Sequence, residues 1–285
     1  METSRAAERL TSRFIAGSTL AREVAVCQKL NADGYLASLD HLGESVTSLQ
    51  EAEQSRDAYL AALEQIAQLN LQATVSVKLT QLGLDFSESA CLANVECLVA
   101  RAKSIGSIVE VDMESSPYVD RTLALVAQLH ARYSSVRAVI QAYLFRSEKD
   151  IEHLCQLSIP VRLCKGAYSE SSQVAFARKP DVDDNYVRLM LQLFDRGTYP
   201  AIASHDEKIL NRAIAYLRER NISADRFEFQ MLYGVRRDLQ RRLTADHYRL
   251  RLYVPYGNAW YPYFMRRLAE RPANVLFLAR NLLKN

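Results

Sequence analysis

The feature that most constrains the fold of this chain is a repeated alternation of short apolar runs with longer amphipathic segments. Eight runs of four to eight residues, each rich in Val, Ile, Leu, Phe or Tyr, follow one another: Leu36–Leu42, Thr74–Leu79, Ile108–Met113, Val136–Tyr143, Val161–Cys164, Ala201–Ser204, Phe227–Leu232 and Arg249–Val254. Apolar residues recur at helical spacing between them, for example in Glu51–Leu69, Ser87–Lys103, Val119–Arg132, Asp184–Phe194 and Asp206–Arg220. A strand–helix unit of about 30 residues, repeated in this way, predicts an α/β protein with a (βα)8 TIM-type barrel.

A doubly wound parallel sheet is the alternative fold for such an alternation. It is less favoured, because no glycine-rich phosphate loop follows the first predicted strand. No linker or low-complexity tract interrupts the pattern. We therefore expect residues 1–285 to form one domain, with residues 1–33 as an extra N-terminal helical region.

The composition excludes several classes of function. The net charge of +3 comes without a long basic run, which argues against nucleic-acid binding. The five cysteines have spacings that match no metal motif, and we expect no metal and reduced thiols in the cytoplasm. No apolar run reaches the roughly 18 residues that a membrane helix needs. The charged segment Met1–Arg13 lacks the apolar stretch of a secretory signal.

The candidate functional groups lie where the predicted strands end. In a (βα)8 barrel the catalytic residues come from the carboxyl ends of the strands. Polar and aromatic side chains recur at these ends in nearly every unit: Asp40, Lys78, Asp112, Gln141, Arg162, Lys165, Ser204, His205, Gln230 and Tyr253. A ring of such side chains predicts a lined pocket at one end of the barrel.

Several of these residues, taken singly, have more than one interpretation. Lys78 could be a Schiff-base lysine, an ion-pair partner or a solvated strand end. Asp112 could be a catalytic carboxylate or the N-cap of the next helix, and His205 a ligand-binding residue or the first residue of a helix. Arg162 lies within a strand that should be buried on both faces, so its charge requires partners.

A pair of arginines marks the predicted helix near the C-terminus. Tyr263, Arg266, Arg267 and Glu270 recur at i, i+3, i+4 and i+7 and therefore share one face. A guanidinium group binds a carboxylate through two parallel hydrogen bonds. This face is either a site for a small carboxylate ligand or an ordinary solvated surface.

The ordered set of strand ends resembles the proline dehydrogenase family. The matching segments keep the family's order over nearly the whole chain: Ser76–Leu79, Glu110–Glu114, Gln141–Tyr143, Val161–Tyr168, Ser204–Asp206, Phe229–Gly234, Tyr253–Gly257 and Tyr263–Glu270. The chain length resembles that of the stand-alone bacterial enzymes, without the aldehyde-oxidising domain of the fused ones.

The resemblance implies a distorted (βα)8 barrel that binds FAD non-covalently. Such an enzyme oxidises L-proline to Δ1-pyrroline-5-carboxylate, the first step of proline catabolism, by hydride transfer to flavin N5. It passes the electrons to a membrane quinone, so the resemblance also implies peripheral contact of a cytoplasmic protein with the inner face of the membrane.

The resemblance further assigns roles to individual residues. Lys78, Arg266 and Arg267 would hold the substrate carboxylate, and Leu232, Tyr253 and Tyr263 would surround the proline ring. Arg162 would lie near flavin N5, and Asp112 would support the active site through Lys78. The expected cofactor-binding residues are Met113, Gln141, Arg162, Lys165, Gly166, Ala167, Tyr168, Ser204, His205 and Gln230.

Two positions depart from the family's usual residues. Ser204 stands where the family has Thr, and the hydroxyl group is kept. Cys164 replaces an aliphatic residue and, beside a flavin, would be sensitive to oxidation. The bulk of Tyr253 would favour proline over hydroxyproline. The resemblance leaves open which group accepts the amine proton of the substrate.

Two other functions remain open on the same fold. A Schiff-base aldolase would explain Lys78 together with Asp112, but it gives no common task to Arg162, Lys165 and the arginine pair. A non-catalytic barrel would keep the pocket without the reaction, but it would be expected to lose some of these groups.

Overall fold

The computed structural model describes residues 13–43 and 46–269, except for the side chains of Pro262 and of residues 266–269. Eight strands alternate with helices: β1 (Leu36–His41), β2 (Ala73–Val77), β3 (Val109–Val111), β4 (Val136–Gln141), β5 (Val161–Cys164), β6 (Ala201–Ala203), β7 (Glu228–Leu232) and β8 (Leu250–Tyr256). Each strand is parallel to both neighbours, and β1 pairs with β8. The closed barrel confirms the predicted (βα)8 fold, and the doubly wound sheet is wrong.

The helices of the described part surround this barrel. They are α1 (Leu20–Ala32), α2 (Leu49–Gln68), α3 (Glu88–Ser104), α4 (Val119–Tyr133), α5 (Ser147–Gln156), α6 (Lys179–Arg196), α7 (Glu207–Glu219), α8 (Arg237–Ala245) and α9 (Trp260–Ala269). The strand residues that point outward, such as Leu39, Val75 and Val77, are fully buried beneath them. Apolar burial against the helices therefore fixes the register that sends the alternate side chains inward.

The first and last helices take unusual places. Helix α1 packs against β1 and β8, the two strands whose pairing closes the barrel. Its first turn is capped by Thr19, whose side chain accepts a hydrogen bond from the Arg22 N–H at 3.4 Å. Helix α9 follows β8 and buries Tyr263 and Phe264. The N-terminal helix thus covers the barrel wall, and the C-terminal helix brings side chains to the cavity described below.

Strand β8 is longer than the sequence pattern predicted. It continues through Pro255 to Tyr256 instead of ending at Val254, because the strand remains paired with β1 as far as His41. The carbonyl of Pro255 also accepts a hydrogen bond from the Ala16 N–H at 2.9 Å. This extension carries the end of β8 level with the end of β1.

Charged side chains fill the lower interior of the barrel. Arg137 on β4 donates to Glu110 on β3 at 3.2 Å and to Glu228 on β7 at 2.7 Å. Because β4 and β7 are not neighbours, these side chains meet across the interior. Arg251 on β8 adds two further hydrogen bonds to Glu228, at 2.8 and 3.0 Å.

The floor of this ionic interior is closed by an aromatic ring. The Tyr199 hydroxyl lies 3.3 Å from Glu228, and its ring lies 5.6 Å from the guanidinium of Arg137 and 5.5 Å from that of Arg249. Burial by itself would raise the pKa of Glu228, but the guanidinium groups of Arg251 and Arg137 hold its pKa well below the usual value. The carboxylate therefore stays ionised although it is fully buried.

None of the described helices is both long and apolar enough to cross a membrane.

We expect Arg137→Met to destabilise the fold by about 3–5 kcal/mol, because it leaves two buried carboxylates short of one cation. The measurement is the free energy of unfolding in urea. The control is Arg132→Met, which removes an ion pair to Glu96 in which the arginine side chain is 51% exposed. That loss should be about 0–1 kcal/mol. Equal losses in the two variants would contradict the importance of the ionic interior.

Candidate active site

One cavity of about 560 Å³ opens at the carboxyl ends of the strands. It is lined by fifteen of the residues predicted from the sequence: Lys78, Asp112, Met113, Gln141, Arg162, Lys165, Gly166, Ala167, Tyr168, Ser204, His205, Gln230, Leu232, Tyr253 and Tyr263. Arg266 and Arg267 lie on the same helix as Tyr263, but their side chains, like Glu270, lie outside the described residues. A second groove, of about 430 Å³, lies at the opposite end of the barrel and involves none of these residues.

Asp112 is the centre of the charged base of the cavity. One carboxylate oxygen accepts hydrogen bonds from Ser76 at 2.6 Å and from Arg162. The other accepts from Tyr253 at 2.8 Å and from Lys78 at 3.3 Å. Burial by itself would raise the pKa of Asp112, but Arg162 and Lys78 outweigh it and lower its pKa to about 2. The alternative role as a helix N-cap is wrong, because this carboxylate is engaged inside the barrel.

Lys78 lies between two carboxylates. Its ammonium group lies 3.3 Å from Asp112 and 3.5 Å from Asp40, and the hydroxyl of Tyr253 is also 3.5 Å away. Lys78 is 9% exposed, so the interpretation as a solvated strand end is wrong and the ion-pair interpretation is confirmed. Asp40, at the end of β1, belongs to the predicted ring of strand-end side chains, but the sequence assigned it no individual role.

Arg162 joins the cavity to the ionic interior below. One guanidinium nitrogen bonds Asp112. The other lies 3.4 Å from Glu110, 3.3 Å from Ser76 and 3.4 Å from Gln230. The prediction that this buried arginine needs partners is confirmed, and protein carboxylates supply them.

A second charged group lies on the rim of the cavity. Lys165 pairs with Asp183 and, at 3.2 Å, with Asp206. Lys179, at the start of α6, also pairs with Asp183 and lies 3.8 Å from Asp206. Lys179 lines the cavity but was missed from the sequence, because it lies on a helix and not at a strand end.

Gly166 lets the chain pass close to an aromatic ring beside this rim. Its φ is +116°, a conformation that favours glycine, and a Cβ atom there would lie 2.4 Å from the ring of Tyr143. The Tyr143 N–H also donates to the Lys165 carbonyl at 2.9 Å. A side chain at position 166 would therefore disturb both the loop and the cavity wall.

His205 and Ser204 are held just before helix α7. The Nε2 atom of His205 accepts a hydrogen bond from the Leu232 N–H at 2.8 Å, so this nitrogen carries no proton. Helix α7 begins only at Glu207, and its N-cap is Asp206. The interpretation of His205 as a helical residue is therefore wrong.

Two neutral side chains, Gln141 and Cys164, also line the cavity. Gln141 donates to the Glu114 carbonyl at 2.8 Å, which fixes its amide at the cavity. Burial raises the pKa of the Cys164 thiol to about 11, so the group remains protonated at neutral pH. Because the thiolate is the reactive form, the expected sensitivity of Cys164 to oxidation is reduced.

Asp112 should make the stability of the protein depend on acid. A folded-state pKa near 2, against an ordinary value near 4, contributes about 2–3 kcal/mol above pH 5. This contribution is lost as the pH falls towards 2. In Asp112→Asn the dependence is absent, so the stability difference from the parent protein should shrink by roughly two thirds of that amount between pH 7 and pH 2.5.

Urea unfolding between pH 7 and pH 2.5 measures the difference. The control is Asp57→Asn, at a side chain that is 63% exposed, whose curve should run parallel to that of the parent protein. A constant difference between the Asp112→Asn and parent curves would contradict the ionised Asp112.

The chain is similar to known proteins over most of its length. A sequence model of the family described as proline dehydrogenase matches residues 24–280. The chain is 41% identical over 273 residues to proline dehydrogenase 1 of Bacillus subtilis subsp. natto, covering 95% of this chain and 90% of that protein. It is 39% identical over 282 residues to the proline dehydrogenase of Deinococcus radiodurans, covering 96% of this chain and 90% of that protein.

A solved structure shows the same fold. The crystal structure of proline utilization A from Bdellovibrio bacteriovorus, inactivated by N-propargylglycine, matches with a TM-score of 0.85 and 26% sequence identity. The match covers 91% of this chain and 32% of that larger one. Together with the sequence matches, this similarity shows that the chain belongs to the proline dehydrogenase family.

Proposed function

We propose that this protein oxidises L-proline to Δ1-pyrroline-5-carboxylate with FAD as its cofactor and a quinone as the final electron acceptor. The observation that carries the proposal is the cluster of Asp112, Lys78, Arg162 and Tyr253 at the base of the cavity. These groups are buried, mutually oriented and open to a cavity at the catalytic end of a (βα)8 barrel. Membership of the proline dehydrogenase family supports the same reaction.

The lining of the cavity fits a flavin dinucleotide. Lys165 and Lys179 lie at the rim in ion pairs with Asp183 and Asp206, and both would have to turn from these carboxylates to bind a diphosphate. Gly166 lets the backbone approach closely. Gln141 and Ser204 place an amide and a hydroxyl on the wall, as recognition of a flavin and its adenosine requires. We propose that these residues, with the other predicted cofactor-binding residues, hold FAD.

The charges at the base of the cavity bear on how the substrate is held. Among the described side chains there, Lys78 and Arg162 face Asp40 and Asp112, so the positive and negative charges are equal in number. A substrate carboxylate would therefore need further cations. We propose that Arg266 and Arg267 of α9 supply them and that Lys78 contributes from the base of the cavity.

The proline ring would lie among the aromatic and apolar side chains. Tyr253, Tyr263 and Leu232 line the cavity beside the charged cluster. Because the Tyr253 hydroxyl donates to Asp112, its ring is fixed in place at the cavity wall. If the proline ring and its carboxylate are both held, the C–H bond from which the hydride leaves is oriented towards the cofactor.

The protein's own groups have defined tasks in the oxidation. FAD, when bound, supplies the acceptor for the hydride. The guanidinium of Arg162 faces the cavity and stabilises negative charge that develops there. Asp112, with a pKa of about 2, is too weak a base to take the amine proton, so it acts by orienting Lys78 and Arg162.

The geometry does not favour a Schiff-base aldolase. A Schiff-base lysine must present a neutral amine to its substrate. The Lys78 ammonium instead lies in ion pairs with Asp40 and Asp112. Both this arrangement and the family membership support the dehydrogenase over the aldolase.

The final electron acceptor that we propose is a quinone in the membrane. The resemblance to the family supports a membrane quinone, and with it peripheral contact at the inner face of the membrane.

The test is an anaerobic titration of the FAD-loaded protein with L-proline, followed by absorbance. We expect L-proline to bleach the visible flavin band and D-proline to do so at least tenfold more slowly, because the proposed carboxylate site is asymmetric. A soluble quinone added afterwards should restore the band.

A control separates this result from the aldolase. Borohydride should trap no covalent adduct between the protein and a carbonyl substrate. A protein that binds no FAD, or a flavin band that L-proline leaves unchanged, would contradict the proposed function.

A further inference from the structure

We propose that Glu110, on the barrel floor, is a positioning residue that sets the charge Arg162 presents to the active-site cavity. The inference rests on the proposed flavin-dependent function but names a residue outside the cavity lining. Arg162 lines the cavity, and Glu110 lies fully buried beneath it. Glu110 therefore acts on the reaction only through its neighbour.

The contact between the two residues has a defined geometry. The Oε2 atom of Glu110 lies 3.4 Å from one terminal nitrogen of Arg162, and the other terminal nitrogen bonds Asp112. The Tyr253 ring lies 5.5 Å from the centre of the guanidinium. The guanidinium is thus held between a carboxylate from the floor and a carboxylate from the substrate side.

Glu110 is itself fixed by the ionic interior. Thr74 donates to its Oε1 at 2.9 Å, and Gln230 and Arg137 donate to its Oε2 at 2.9 and 3.2 Å. The Gln230 side chain also bridges to Arg162, because its amide oxygen lies 3.4 Å from the Arg162 nitrogen that faces Glu110. These contacts give the carboxylate one position.

The carboxylate is ionised in this position. Burial by itself would raise the pKa of Glu110, but the guanidinium groups of Arg137, Arg162 and Arg251 together lower its pKa. A fixed negative charge beside Arg162 cancels part of the positive potential that would otherwise reach the cavity. The reduced cofactor is more anionic than the oxidised one, so its stability should depend on this cancellation.

Glu228 provides a matched comparison within the same network. Both carboxylates are fully buried, and both contact Arg137 and Gln230. Within the described part of the chain, Glu228 bonds Arg251 and not Arg162. The two glutamates therefore share a structural role, and only one of them touches the cavity's arginine.

The experiment compares Glu110→Gln with Glu228→Gln in the FAD-loaded protein, and the readout is the midpoint potential of the bound flavin. We expect Glu110→Gln to shift the equilibrium between oxidised and reduced flavin at least tenfold towards the reduced form. For a two-electron couple this raises the midpoint potential by about 30 mV. Glu228→Gln should change the midpoint potential by less than a third of that shift. Bleaching of the parent protein by L-proline, measured alongside, tests the proposed function separately.

A second pair of variants keeps the test usable if Glu110→Gln does not fold. Removing both members of a buried ion pair costs much less than removing one. The potential of the double variant Glu110→Gln, Arg137→Met is therefore compared with that of Arg137→Met alone, and the same tenfold difference is expected. An unchanged potential, or equal shifts for the Glu110 and Glu228 variants, would overturn the proposal.

Discussion

The structure depends on the balance of charge inside a closed barrel. Among the described residues, eight buried side chains form ion pairs inside the barrel, four of each sign: Arg137, Arg162, Arg251 and Lys78, with Asp40, Glu110, Asp112 and Glu228. A buried charge without a partner is strongly destabilising, so each strand must deliver its charge to the correct level. The register of the parallel strands therefore fixes the ionic interior and the active site together.

The ionic interior has two levels with different tasks. The lower level, built around Glu228, is closed by Tyr199 and serves the fold. The upper level, built around Asp112, opens to the cavity and presents Lys78 and Tyr253 to a ligand. Arg162 belongs to both levels, which couples the electrostatics of the site to the packing of the barrel.

The sequence predicted the fold and most of the cavity lining, because both follow from local patterns. Outward residues such as Val75 and Val77 mark a strand, and Lys78 follows it directly at the catalytic end. The lower ion pairs were missed, since Arg137 and Glu228 are 91 residues apart and alternate with apolar neighbours in their strands. A pattern within one strand carries no information about which distant strand supplies the opposite charge.

Because the described charges at the base of the cavity cancel, we propose that α9 supplies the cations for the substrate carboxylate. Flavin-difference titrations of Arg266→Met and Arg267→Met, with L-proline and with neutral-ring pyrrolidine, test it directly. We expect L-proline affinity to fall by about one to two decades in each variant, the loss of one charge-assisted contact, and pyrrolidine affinity to stay the same. Equal losses for both ligands would contradict the claim, because the arginines would then shape the fold and not bind the carboxylate.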